Sequence, residues 1–332
     1  MESSIKAVYK HYAPPPSLLF YTAVTFIISE SPPATFHNLL HSRADPPSSC
    51  LHITSSSFTM TDVWLVTGSS RGLGLAITEA VLKAGGSVIA TCRKPIQLNS
   101  LVEKYGSRIF PIALDIANND EVLRVVKAGH EKFGRIDVVV NNAGYANTVA
   151  IEDISMEDFT AQMDTNFYGV VYVSKAVLPI LRKQGSGHIF QISSLGGRMG
   201  TPGLAPYQSA KAAVDIFSTV LSKEAGPLGV KVTVMEPGGI RTDWAGSSMA
   251  IPPVSEPYKP TVGAFVDMIK QYSGQEPSLP EKIAEICLKL AGTEDPPLRL
   301  LIGPDAVEYG AAAGKELSDS DKKWENLSQS SV

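Results

Sequence analysis

From Asp62 onward, short apolar runs alternate with amphipathic stretches. Seven runs read as strands: DVWLVTG, SVIATCR, RIFPIALDI, IDVVVNNAG, GHIFQISS, VKVTVMEPGG and LRLLIG. They are almost continuously Val, Ile and Leu, with no strict polar alternation, which marks strands buried on both faces. Between them, GLAITEAVLKAGG and the stretches Asn118 to Phe133, Met156 to Gln184 and Tyr207 to Gly226 carry the period of helices that bury one face. Buried strands separated by helices predict an α/β fold in one domain. The sheet should be parallel, doubly wound, of about seven strands, with helices on both faces.

The first 59 residues break this pattern. APPPS, SPPA and DPPSS make them rich in Pro and Ser, and such a composition does not build a packed core. One apolar run, SLLFYTAVTFII, spans 12 residues, Ser17 to Ile28. A membrane-spanning helix needs about 20. The run suits the apolar part of a signal peptide, with Lys6 and Lys10 before it, or an unstructured extension. Met60 directly precedes the first strand, so residues 1–59 are expected to be a dispensable extension. The catalytic domain is expected over 60–315, and a polar tail over 316–332.

Charge and cysteines narrow the class. The net charge of −4 gives no basic footprint for nucleic acid. Cys50, Cys92 and Cys287 have no paired spacing, which argues for a reducing, cytoplasmic compartment. His130 and His188 are isolated, and no metal site is expected.

The chemistry starts at VTGSSRGLG, between the first strand and the first helix. Gly68, Gly72 and Gly74 let the backbone turn tightly and approach a pyrophosphate, and the following helix offers free N–H groups and a positive dipole end. This makes the fold Rossmann-type. An NAD site usually places an Asp or Glu about 20 residues further on, against the ribose. Here the second strand ends TCRK, with Arg93 and no acid, and Arg71 lies in the glycine turn. Two guanidinium groups suit the 2′-phosphate of NADP(H).

APYQSAKAAV then sets Tyr207 and Lys211 four positions apart, on one face of a helix. A Lys charge there would favour the phenolate and lower the Tyr pKa from about 10. Alone, such a pair also fits an ordinary helix turn. Beside a dinucleotide turn it fits the acid/base of a carbonyl–alcohol interconversion.

Together TGSSRGLG, LDI, NNAG, DTNFYG, ISS, YQSAK and PGGIRT, in this order over about Asp62 to Gly303, resemble the short-chain dehydrogenase/reductases of the classical type. The C-terminal PPLRLLIGPDAVEY is most similar to 17β-hydroxysteroid and retinol dehydrogenase-like members. The resemblance implies a catalytic set of Asn166, Ser194, Tyr207 and Lys211. The spacing of thirteen residues before the Tyr selects Ser194 over Ser193. It implies that Ser194 polarises the carbonyl, that Tyr207 passes the proton, that Lys211 holds the nicotinamide ribose, and that Asn166 holds a water linking Lys211 to solvent. For the cofactor it implies Gly68, Ser70, Arg71, Gly72, Leu73 and Gly74 at the pyrophosphate and Asp115 and Ile116 at the adenine. Asn142, Ala143 and Gly144 would lie beside the cofactor, Lys175 on a helix near it, and Pro237, Gly238, Ile240 and Thr242 around the nicotinamide. A homodimer or homotetramer is implied too.

Substrate choice is expected after Thr242. Trp244, Met249, Ile251, Tyr258, Phe265 and Met268 lie within 243–275, either as a lid over an apolar substrate or as packing on the domain or a partner subunit. The function implied is NADP-dependent interconversion of a ketone or aldehyde and its alcohol on an apolar small molecule. The alternative is a non-redox or regulatory dinucleotide-binding protein.

Overall fold

The computed structural model describes residues 62–245 and 249–332. The Pro- and Ser-rich extension and its apolar run lie outside them. All seven predicted strands form: β1 Val63–Thr67, β2 Ser87–Cys92, β3 Ile109–Ala113, β4 Val138–Asn141, β5 Gly187–Ile192, β6 Val230–Pro237 and β7 Arg299–Ile302. They make one parallel sheet in the order β3-β2-β1-β4-β5-β6-β7. The order reverses between β1 and β4. Crevices for ligands open beyond the C-terminal ends of strands at such a reversal.

The helices are α1 Gly72–Lys83, α2 Asn99–Tyr105, α3 Asn119–Phe133, α4 Met156–Met163, α5 Gly169–Gln184, α6 Ala205–Ala225, α7 Ala264–Tyr272, α8 Pro280–Ala291 and α9 Pro304–Gln329. Side chains alternate across each strand, so β1 feeds two cores. Trp64 and Val66 pack with Ile77 and Val81 of α1 and Ile283 and Cys287 of α8. Val63 and Leu65 face the other way, toward Val122 and Val125 of α3, Val173 and Val177 of α5, and Leu221 of α6. Burying a side chain of this size contributes about 1.5–3 kcal/mol. The sheet is therefore held on both faces, which is why its strands read as unbroken apolar runs.

Three elements differ from expectation. The stretch Met156 to Gln184 is two helices joined by a π-helical turn at Asp164–Tyr168. The polar residues 316–332, expected as a tail, continue α9 to Gln329, with Lys315 paired to Asp319 one turn on. Its polar face suits a helix standing in solvent, stabilised locally by pairs of this spacing. α8, within PPVSEP to AGTED of the C-terminal third, was not expected as a helix. Among the described residues no helix is long and apolar enough to cross a membrane.

One buried polar residue sets an acid limit on this fold. His188 on β5 lies inside the protein, stacked on Phe190 with ring centroids 4.0 Å apart. Thr233 donates to the carbonyl of Pro297 at 2.9 Å, so its oxygen accepts from His188 Nε2, also at 2.9 Å. Burial, with Lys231 nearby, pushes His188 down to about 3. The unfolded imidazole titrates near 6.5. Its folded pKa is the lower one, so the stability it contributes is present above the unfolded pKa and is lost as pH falls. From pH 7 to pH 5 this amounts to about 2 kcal/mol. Urea unfolding of the wild type and of His188→Gln at both pH values should differ in their pH dependence by that amount. Equal pH dependence in the two proteins would contradict the assignment.

Candidate active site

A cavity of about 870 Å³ runs along the C-terminal edge of the sheet. The turns after β1, β2, β3, β4, β5 and β6 all reach it.

At its β1 end the glycine turn is built by close contact. Gly68 and Gly72 have φ of +69° and +53°, a region that L side chains rarely adopt. Gly74 is required for a different reason. A Cβ there would stand 2.2 Å from the Gly68 carbonyl oxygen and 2.5 Å from Asn142 Nδ2. Asn142 locks this turn to β4. Its Nδ2 donates to the Thr67 carbonyl at 2.8 Å, and its backbone N–H donates to Thr67 Oγ1 at 2.9 Å. No acidic residue occupies the first turn of α1, and no side chain caps it. The helix end thus presents N–H groups to the cavity.

The same cavity is lined by Ser194, Tyr207 and Lys211. α6 begins at Ala205 with Pro206 in its first turn, a position that fits the ring and needs no N–H. One turn on, Lys211 is 4% exposed, and its Nζ donates to the carbonyl of Ile192, the last residue of β5, at 2.7 Å. Ser194 lies two residues beyond Ile192. Its Oγ accepts from the Gly196 N–H at 3.0 Å, which leaves the hydroxyl hydrogen for the phenol of Tyr207, to which Ser194 is hydrogen-bonded. Trp244 covers the Tyr207 ring, centroids 5.5 Å apart.

The short chain dehydrogenase family matches residues 62–250. The oxidoreductase BOA17 of Botryotinia fuckeliana strain B05.10 is 66% identical over 274 residues, covering 82% of this chain and 100% of that protein. A short-chain dehydrogenase of Streptomyces avermitilis superposes with a TM-score of 0.77 at 33% identity, over 82% of this chain and 100% of that one. An alcohol dehydrogenase of Thermococcus sibiricus, complexed with 5-hydroxy-NADP, has a TM-score of 0.61 at 26% identity, over 73% and 96%. The chain belongs to the short-chain dehydrogenase family. It is an oxidoreductase, and its fold binds a nicotinamide dinucleotide. The narrower likeness to 17β-hydroxysteroid and retinol dehydrogenases is not confirmed by these relatives.

Most residues implied by the family resemblance converge on the cavity. Gly68, Ser70, Arg71, Gly72, Leu73, Arg93, Asp115, Ile116, Asn142, Ala143, Gly144, Pro237, Gly238, Ile240 and Thr242 all line it. Lys175 does not. It is exposed on α5, because the preceding Ser174 faces the sheet and bonds buried Gln191, and the next helical position turns about 100° away. Asn166 does not line the cavity either. It is fully buried in the π-turn, donating to the carbonyls of Tyr145 at 2.9 Å and Gln162 at 2.8 Å and accepting from the Tyr145 N–H at 3.1 Å. Both amide hydrogens are thus spent on fixing the chain after β4. Its Oδ1 lies where a Cβ on Gly144 would need to be, at 2.6 Å.

The expected effect of Lys211 on Tyr207 is also corrected. Burial pushes the phenol up to about 12, opposed by the Ser194 hydrogen bond, and pushes Lys211 down to about 8, opposed by Asp215. Both groups are buried, and the ammonium is aimed at the Ile192 carbonyl. Desolvation therefore outweighs the attraction expected from their spacing.

The segment after Thr242 both packs and lines. Trp244, Met249, Ile251, Phe265 and Ile269 cluster with Ala146, Leu204 and Tyr207. Of these, Trp244, Met249 and Ile269 also face the cavity. Met268 is exposed instead. Lining groups not read from the sequence include Tyr145, Asn147, Asp164 and Glu276. Asp305 was missed too. It accepts from the Gly239 N–H at 2.7 Å, and a Cβ on Gly238 would meet its carboxylate at 2.2 Å. The paired glycines of PGG were the available signal for so close an approach.

Gly74→Ala should cost on the order of 1–3 kcal/mol of stability, as overpacking does. The same opening of the turn should weaken nicotinamide dinucleotide binding at least about tenfold, the equivalent of 1.4 kcal/mol. Titration calorimetry and urea unfolding measure the two effects. Unchanged affinity would show that the turn does not hold the dinucleotide.

Proposed function

We propose that this protein is an NADP(H)-dependent oxidoreductase that interconverts a ketone or aldehyde and its alcohol on an apolar small molecule, with Tyr207 as the general acid/base. The observation that carries this reading is the convergence of Tyr207, Ser194 and Lys211 with the glycine turn on one cavity.

The dinucleotide, when bound, supplies hydride chemistry that no side chain can. The chain's own residues do the rest. The glycine turn and the α1 N-terminus hold the pyrophosphate. Ser194 donates a hydrogen bond to the carbonyl oxygen where negative charge develops. Tyr207, a neutral phenol at physiological pH in this environment, donates the proton to that oxygen, or in the reverse direction takes it from the alcohol. Lys211 is held by Ile192 beneath the phenol, where it serves the ribose and balances charge. Trp244, Met249 and Ile269 exclude water and favour an apolar substrate.

Preference for NADP(H) is supported by Arg71 and Arg93. Both are exposed at the cavity, and no acid follows β2. A relative of known structure is complexed with 5-hydroxy-NADP. Arg93→Ala should weaken NADPH by about 1.5–3 kcal/mol, the worth of a charge-assisted hydrogen bond, and leave NADH nearly unchanged. Equal weakening of both would overturn the 2′-phosphate reading. In a screen of ketones and aldehydes, Tyr207→Phe should bind NADPH as the wild type does and retain less than about a tenth of its kcat, a barrier rise of at least 1.4 kcal/mol. Turnover above that level would overturn the acid/base assignment.

A further inference from the structure

Behind Ser194 lies a group of four charged side chains that the chemistry above does not use. Glu236 on β6 is fully buried, and Asp215 on α6 is almost so. Arg198, at the end of the turn that Ser194 opens, forms an ion pair with Glu236. Arg299 on β7 lies 3.7 Å from Glu236 and 3.8 Å from Asp215, and donates to the Asp215 carbonyl and to Thr219 Oγ1, each at 3.0 Å. Two guanidinium groups and two carboxyl groups thus join the turn after β5, two strands and the catalytic helix.

The turn itself is short. Ser194 caps a single 3₁₀ turn, Leu195–Gly197, closed by Gly197 N–H to the Ser194 carbonyl and Arg198 N–H to the Leu195 carbonyl, both at 2.9 Å. One such turn has little stability of its own. It rests directly on the cluster, since a Cβ on Gly197 would stand 2.3 Å from Asp215 Oδ2. Asp215 also shares one face of α6 with Tyr207 and Lys211, at intervals of four residues.

Burial of this kind is costly. It pushes Asp215 up to about 6, with Glu236 adding to the rise and Arg299 opposing it. Buried ion pairs seldom return their desolvation cost as stability, and where they are kept they fix geometry. We propose that the cluster of Arg198, Glu236, Arg299 and Asp215 is the positioning device that clamps the Ser194 turn onto α6 and so fixes Ser194 against Tyr207. Arg198 and Glu236 are its key members, because their ion pair connects the end of the turn to β6. They are positioning residues and touch no reacting atom. The effect on turnover rests on the proposed carbonyl–alcohol chemistry, whereas the clamp itself does not.

Hydrogen exchange followed by mass spectrometry tests the clamp on the full chain. The amides of Gly197 and Arg198 should exchange at least about tenfold faster in Glu236→Gln and in Arg198→Ala, a loss of 1.4 kcal/mol of local protection. A peptide from β1 serves as reference and should be unchanged. Arg198→Lys, which keeps the charge, should restore part of the protection. If Glu236→Gln does not fold, Arg198→Ala decides the matter, because its side chain is already 32% exposed. On a ketone that the wild type reduces, Arg198→Ala should lower kcat and leave KM for NADPH unchanged. Unchanged exchange in the turn would overturn the proposal, as would equal acceleration in β1 or an unchanged kcat. If Tyr207→Phe kept its turnover while the turn still responded, the chemical reading would fail and the clamp would stand.

Discussion

The hydrogen bond from Lys211 Nζ to the carbonyl of Ile192 is the constraint on which the site depends. An ammonium that is 4% exposed must find an acceptor, because an unpaired buried charge costs several kcal/mol. β5 ends at Ile192, so one lone pair of its terminal carbonyl is available to a side chain. Meeting that demand docks the first turns of α6 against the end of β5. Ser194, two residues beyond, then falls beside Tyr207, one turn before the lysine. The parallel sheet supplies the rest. All its strands end at the same edge, and the order reversal between β1 and β4 opens the crevice there.

Burial then sets the chemistry. In water a lysine one turn from a tyrosine would tend to favour its phenolate. Here the phenol packs with Trp244, Leu204 and Met249, and burial pushes its pKa up to about 12. A neutral phenol already hydrogen-bonded to Ser194 is prepared to give a proton to a developing alkoxide. Taking one from an alcohol requires first that the phenol be ionised. Charge brought by a ligand can shift the ionisation of the phenol.

Much of the fold was legible because both faces of the sheet are covered. Continuous runs such as VWLVT and VVVN have no other stable home than the middle of a two-sided sheet. The glycine turn was legible because a tight strand-to-helix turn demands the positive φ of Gly68 and Gly72, and the Tyr207–Lys211 pair gained meaning only beside it. What was not legible depends on contacts distant in sequence. The π-turn at Asp164–Tyr168 is stabilised by Asn166 reaching the backbone of Tyr145, 21 residues away. Lys175 was misplaced because a resemblance gives a helix and not its rotation, which buried Ser174 decides. Asp305 meets Gly239 across 66 residues of chain. The Tyr207 shift was misjudged because spacing reports the neighbouring charge and says nothing of solvent. Residues 316–332 were read as a tail because their polar composition carries no buried face to reveal the end of α9.

In the proposed function Tyr207 is the single carrier of the proton, and the pH dependence of the two reaction directions tests this most directly. For a ketone and alcohol pair turned over with NADP(H), kcat/KM for oxidation should rise about tenfold per pH unit until the phenol ionises, while reduction stays level below that point. Oxidation that is independent of pH, or a reduction rate that falls as pH rises through about 8 together with the ionisation of Lys211, would contradict it.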